Sequence, residues 1–344
     1  MPQMVSDERS QVLRRQEQTD AVGSGPGFLI HRHRGAAFAC AAGENRREVR
    51  GAEGQAKGEG ADGGVMPRMW GLALSGGGVK CAAHLGVLKV LQRHGVEFDL
   101  IAGSSAGALV AVLYGLGTDL AELERRATQL RWQEIIGWRI SRQGLGDPNR
   151  FLRLLRSLTR GVRLEDLPRR VLVTATDLRH GTPHIFERGE AAEAIYASCA
   201  LPGLFPPLQR DGRVLVDGSV LSPLPVDLLK RHGARHCVGV LFDGLGGYEP
   251  RSLLASARRC FDVMLNKLAA DVRTSADILV TPALGDCGSF DFRQIRVCIA
   301  EGERAAQAVL PALLRLREGA PAVVITPGGA GQDMTEQGAA SVEP

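Results

Sequence analysis

Twice along this chain, glycine stands where a strand hands over to a helix. That arrangement limits the fold more than any other feature. At the first junction, WGLALS at 70–75 is a short apolar run followed by Gly76-Gly77-Gly78. An apolar stripe at helical spacing (Ala83, Val87, Val90/Leu91) then predicts a helix over 79–94, closed by Gly95. At the second, a strand at 97–102 runs into Gly103-Ser104-Ser105-Ala106-Gly107 and another apolar helix. Thr118 or Asp119 caps a further helix ending near Leu130. Later strands are expected at 171–176, 184–186, 214–216, 237–242 and 277–281, and helices at 191–200, 226–232, 253–268 and 293–316. Strands that alternate with helices imply an α/β domain, a mainly parallel sheet covered on both faces.

The ordered text does not fill the chain. Residues 1–68 are rich in Gly, Ala, Arg and Glu without helical or strand period, and read as a disordered extension or as sequence upstream of a true start at Met66 or Met69. The domain is expected over 69–318, and the Gly-rich residues 319–344 read as a loose tail. Composition narrows the function classes. Lys+Arg 42 against Asp+Glu 38 gives +4, too balanced for a protein that binds a phosphate polymer, and 5% aromatics leave few stacking surfaces, so nucleic acid is not an expected partner. Seven cysteines at scattered positions, with no C-x-x-C, fit neither a disulfide framework nor a zinc site, and point to the reducing cytoplasm. No apolar run reaches the roughly 18 residues of a spanning helix.

The second junction carries chemistry. G-x-S-x-G between a strand and a helix is a nucleophile elbow: Ser105 sits on a sharp turn that lifts its hydroxyl out of the sheet, and Gly103 and Gly107 let strand and helix approach. Ser104, one residue early, should point elsewhere. The first junction can gather backbone N–H groups on one point. Gly76, Gly77 and Gly78 suit an oxyanion hole. A phosphate cradle is the other reading, but Cys81 stands where the third glycine of G-x-G-x-x-G belongs, and Lys80 is followed by Cys81 where the P-loop needs Ser or Thr. Lys80 reads as a solvated helix-start residue or as a charge that screens the site.

A serine nucleophile needs a base. After a short strand at 214–216, Asp217-Gly218 can aim a carboxylate into a cleft. A histidine base would have to be His232 or His236, at a helix end and a strand start, and His84 lies behind the glycine loop in a packed or surface role. No metal-ligand cluster or cofactor motif survives inspection, so none is expected.

Taken together, GLALSGGGVK at 71–80, GSSAG at 103–107 and VDG at 216–218 resemble the glycine block, elbow and aspartate of the patatin-like phospholipase family. TATDLRHGTPHIF at 174–186 resembles a strand pair of that family, ASCALPGLFPPL at 197–208 its Ala-Ser-x-x-x-Pro-x-x-Phe-x-Pro segment, and GSFDF at 288–292 the C-terminal part of bacterial members. The resemblance spans about 70–315 and departs at Cys81 and Ser219, where the family has small residues of other kinds. It implies a three-layer α/β/α fold and a serine lipid acyl hydrolase, phospholipase A- or lysophospholipase-like, with Ser105 as nucleophile, Asp217 as base and the N–H groups around Gly77 and Gly78 as oxyanion hole. The implied partner is a lipid or acyl ester, and contact with a membrane surface follows from that substrate class alone. The acyl groove would be lined or covered by 144–158 or 253–268. Two alternatives stay open: a Ser-Asp-His triad, and a non-catalytic nucleotide-binding or regulatory module built on the glycine loop.

Overall fold

A computed structural model of the chain describes residues 69–137, 144–242, 252–285 and 287–319. The extension at 1–68 and the tail from 320 lie outside the described residues.

The centre is a sheet of short apolar strands. β1 (Trp70–Leu74) and β2 (Leu100–Ser104) are buried at every position, as strands covered on both faces must be. With β3 (Arg170–Asp177), β4 (Thr182–Phe186), β5 (Leu208–Arg210), β6 (Arg213–Asp217), β7 (His236–Val240) and β8 (Ile278–Val280), the order is β5-β6-β3-β2-β1-β7-β8, and β4 pairs with β3. The run β3-β2-β1-β7-β8 is parallel. The β3–β4, β3–β6 and β5–β6 pairs are antiparallel, so the sheet is mixed at one side. The expected strand pair at 174–186 is the β3–β4 hairpin, with Val173 opposite Phe186 and Asp177 opposite Thr182.

Helices cover both faces. α1 (Ala82–Arg93), α2 (Ala106–Gly115), α3 (Leu120–Gln129), α4 (Trp132–Ile136), α5 (Pro148–Thr159), α6 (Ala191–Cys199), α7 (Val226–Arg231), α8 (Leu253–Val272) and α9 (Ile295–Arg317) follow in chain order. The three-layer α/β/α expectation holds. One core packs α1, α2, α6 and α9 on one face of the sheet, and a smaller one packs α7 on the other through Leu224, Val226, Leu228 and Leu229. Local chemistry sets the helix starts. Asp119 accepts the Glu122 N–H at 2.8 Å, and Asp147 accepts the Asn149 N–H at 3.0 Å with Pro148 at the first helical position.

Among the boundaries that differ from expectation, two bear on the site. Residues 78–81 form a 3-10 turn, and the α-helix begins only at Ala82. The Val79 N–H donates to the Ser289 carbonyl at 2.9 Å, which ties the turn to a distant loop. β2 begins at Leu100 rather than 97 and continues to Ser104, so no loop separates it from Ser105.

α1 and α9 approach closely. A Cβ at Gly86 would strike the Ile299 carbonyl, and one at Gly302 the Ala83 carbonyl. The opposing atoms are backbone and cannot swing away. Gly302→Val should therefore cost about 2 kcal/mol or more, read as a lowered urea midpoint with an unchanged m-value.

Candidate active site

Ser105 follows the last residue of β2 and precedes α2, with φ 53 and ψ −133. A non-glycine residue at positive φ is strained, and the surroundings must hold it there. They do so at three points. The Ser105 N–H donates to Ser198 Oγ on α6 at 2.8 Å. A Cβ at Gly107 would collide with the Leu74 and Ser75 carbonyls, so only glycine lets α2 sit this close to β1. Gly103 packs as tightly, with the Ala108 backbone where its Cβ would be. Ser104 does point elsewhere: it is fully buried, and its Oγ lies 3.1 Å from Ser219 Oγ.

The Ser105 hydroxyl donates to Asp217 Oδ2 at 2.7 Å. Asp217 ends β6 and is 3% exposed. Its Oδ1 accepts the Ser219 N–H at 2.9 Å, and its own N–H donates to the Ala200 carbonyl at 3.1 Å. Gly218 follows, pressed against Thr174, whose Oγ1 donates to the Gly103 carbonyl at 3.3 Å. The two departures from the family pattern are thus accommodated: Ser219 meets both Asp217 and Ser104, and the Cys81 thiol donates weakly to the Ser75 carbonyl at 3.4 Å.

Gly76, Gly77 and Gly78 line the same cavity as Ser105 and Asp217. Gly77 and Gly78 have φ 154 and 60. Among the described residues their three N–H groups meet no acceptor. Consecutive unpaired amides beside a hydroxyl, at the N-terminus of α2, form a concave site for negative charge.

The cavity holds about 620 Å³, the size of a small-molecule site. Leu109, Leu113, Leu123, Phe151, Leu158, Phe261, Leu265, Phe290 and Phe292 give it an apolar lining. Both expected segments, 144–158 and 253–268, therefore contribute to the lining. Lys80 lines it as well and is half-buried, so it is not simply a solvated helix-start residue.

The other candidate bases lie elsewhere. His236 pairs in register with Trp70, and Gly71 with Leu100. His236 thus stands level with Asp99, six strand positions or roughly 20 Å from Ser105 along the strand direction. His232 Nε2 lies 3.1 Å from Glu187 Oε1. His84 is fully buried, its Nε2 2.9 Å from the Ser75 carbonyl, and burial pulls it down to about 4. The thiols near Asp217 are inert: burial, with the Asp217 charge adding to it, pushes Cys81 and Cys199 well above the usual thiol range.

Sequence reasoning missed two contributors. Ser198 lies in the 197–208 segment, but a serine in a helix gives no sign that it accepts from the elbow. His84 is expected in a packed or surface role, and only the fold sets it under the glycine loop against the Ser75 carbonyl. Among the described residues no cluster of His, Cys, Asp or Glu could hold a metal, and no helix is long and apolar enough to cross a membrane.

Residues 72–230 match the family model described as patatin-like phospholipase. An uncharacterized NTE family protein of Mycobacterium tuberculosis is 35% identical over 184 residues, 53% of this chain and 51% of that one. Lysophospholipase NTE1 of Meyerozyma guilliermondii is 32% identical over 177 residues, 49% of this chain and 12% of that one. The chain spans about half the length, or less, of the curated relatives it matches. Among solved structures, VipD from Legionella pneumophila aligns with a TM-score of 0.44 at 15% identity, covering 71% of this chain and 67% of that one.

The depressed His84 makes stability pH-dependent. Between pH 6.5 and about 4 the unfolded chain binds a proton at this residue that the folded chain refuses. Stability from this residue is therefore intact above pH 6.5 and falls as pH drops, by about 3 kcal/mol in full. Urea unfolding across that window should show the slope in wild type and lose that part of it in His84→Gln.

Proposed function

Residues 72–230 belong to the patatin-like phospholipase family, and from that premise we propose that this protein hydrolyses lipid acyl esters through Ser105 and Asp217. The 2.7 Å bond from the Ser105 hydroxyl to Asp217 carries the reading. Ser105 Oγ attacks the ester carbonyl while its proton passes to Asp217 Oδ2. The N–H groups of Gly76, Gly77 and Gly78 receive the oxyanion as it forms. Collapse of the tetrahedral intermediate breaks the ester bond, and the leaving alkoxide takes the proton from Asp217. An acyl-enzyme remains on Ser105. Water then gives a proton to Asp217 as it attacks the acyl carbonyl, the Ser105–acyl bond breaks, Oγ regains the proton, and the fatty acid departs.

A carboxylate of ordinary pKa, about 3.9, is a weak base at neutral pH. Transfer concerted with attack requires only an acceptor in line, which Asp217 supplies. No histidine among the described residues has a geometry that favours a triad, and the unpaired amides sit beside a hydroxyl, which favours the oxyanion role over a phosphate cradle. The apolar lining suits a fatty acyl chain. The lysophospholipase relative supports a single-chain phospholipid as substrate.

Hydrolysis of p-nitrophenyl esters and of lysophosphatidylcholine tests this. Ser105→Ala and Asp217→Asn should each lower kcat by about 10³-fold or more, while His236→Ala and His232→Gln keep wild-type kcat. Wild-type turnover in Ser105→Ala, or loss in His236→Ala, would overturn the dyad.

A further inference from the structure

The glycine loop is held at both ends and open between them. At its start, the Ser75 N–H donates to the Val240 carbonyl at 3.1 Å, which continues the β1–β7 ladder. At its end, the Val79 N–H donates to the Ser289 carbonyl. The Ser75 carbonyl is claimed by two side chains on one following turn: His84 Nε2 at 2.9 Å and the Cys81 thiol at 3.4 Å.

A carbonyl oxygen only accepts, so Nε2 must carry the proton. Burial pulls the ring down to about 4 and Nδ1 faces no acceptor, so at neutral pH the ring is neutral with Nδ1 bare. Nδ1 is buried and meets no hydrogen-bond partner among the described residues. The Phe242 ring lies against the imidazole with centroids 4.7 Å apart, and the same Phe242 blocks the space where a Cβ of Gly77 would go. An aliphatic side chain would fill this place without a bare buried nitrogen, but it would leave the Ser75 carbonyl only the weak thiol donor of Cys81. Packing alone therefore does not account for a histidine here.

We infer that His84 is a positioning residue for the oxyanion hole: its Nε2–H holds the Ser75 carbonyl and so fixes the direction of the Gly76 N–H. The link is the peptide plane. In a trans peptide the C=O and the following N–H point opposite ways in one rigid unit. A carbonyl anchored toward His84 aims the Gly76 N–H away from it. Gly76 is the loop residue that packs directly on Ser105, since a Cβ there would lie 2.9 Å from Ser105 Cβ. His84 touches no substrate and transfers no proton. Its action on the reaction passes through one backbone unit.

The inference rests on the ester-hydrolase reading, and the test separates the two. Active-site serine is titrated to completion with a fluorophosphonate, and kcat and KM are measured per titrated site. His84→Leu removes the donor, and kcat should fall about tenfold to a hundredfold, less than the loss of a whole oxyanion donor, with KM within about twofold of wild type. His84→Gln places an amide donor at the same reach and should recover most of kcat. A merely structural role would lower the titrated fraction and leave kcat per site unchanged. Nitrogen-15 NMR of the wild-type ring should show the Nε2–H tautomer at neutral pH, which tests the anchor even if His84→Leu does not fold. Wild-type kcat in His84→Leu, no recovery in His84→Gln, or an Nδ1–H tautomer each overturns the inference while wild type still hydrolyses ester. A folded wild type with no Ser105-dependent hydrolysis overturns the hydrolase reading, and the inference falls with it.

Discussion

The hydrogen bond between Ser105 and Asp217 joins residues 112 positions apart, and most of the fold serves to make it. Ser105 stands at the C-terminal end of β2 and Asp217 at the end of β6, with β3 between them. β2 runs parallel to β3 and β6 runs antiparallel to it, so two strand ends of opposite sense must arrive at the same point. The register does this: Ser104 pairs with Thr174, and Ala175 pairs with Asp217. Adjacent residues of one buried strand thereby bring the two together. A slip of one residue in either pairing would turn a side chain to the other face and break the contact.

Strain at the elbow is the counterpart of that precision. Ser105 holds a positive φ because β2 gives it no loop in which to relax and α2 begins at the next residue. Close packing of Gly107 on β1 and the bond from Ser105 to Ser198 keep the turn closed. The glycine loop is treated alike, tied at Ser75 and Val79 while the N–H groups of Gly76, Gly77 and Gly78 meet no acceptor among the described residues. In both places the chain fixes its backbone beforehand, so under the proposed hydrolysis little would have to reorganise as charge develops on an acyl oxygen.

Much of this was legible in the sequence because it is local. Glycines after an apolar run mark strand–helix turns, and G-x-S-x-G names its central serine. Asp217 was legible as an aspartate at a strand end, and its pairing with Ser105 came only from the family resemblance. Other features depend on residues far away in sequence. The 3-10 turn at 78–81 replaces an α-helical start because Val79 bonds to Ser289. The antiparallel side of the sheet contains β5, three residues long and without a period of its own. Ser198 and His84 look like ordinary helix residues until the fold sets one under the elbow and the other under the glycine loop. The expected histidine alternatives were open in the sequence for the same reason, since only register shows that His236 stands at the far end of the sheet.

The central claim is that Asp217 activates Ser105 directly. The most direct measurement is the rate and place of covalent labelling by a fluorophosphonate, followed by intact mass and peptide mapping for wild type and Asp217→Asn. The account predicts one adduct per chain on the peptide that contains Ser105, and labelling slowed severely in the folded variant. An adduct on another residue, or wild-type labelling of Ser105 in Asp217→Asn, would contradict it.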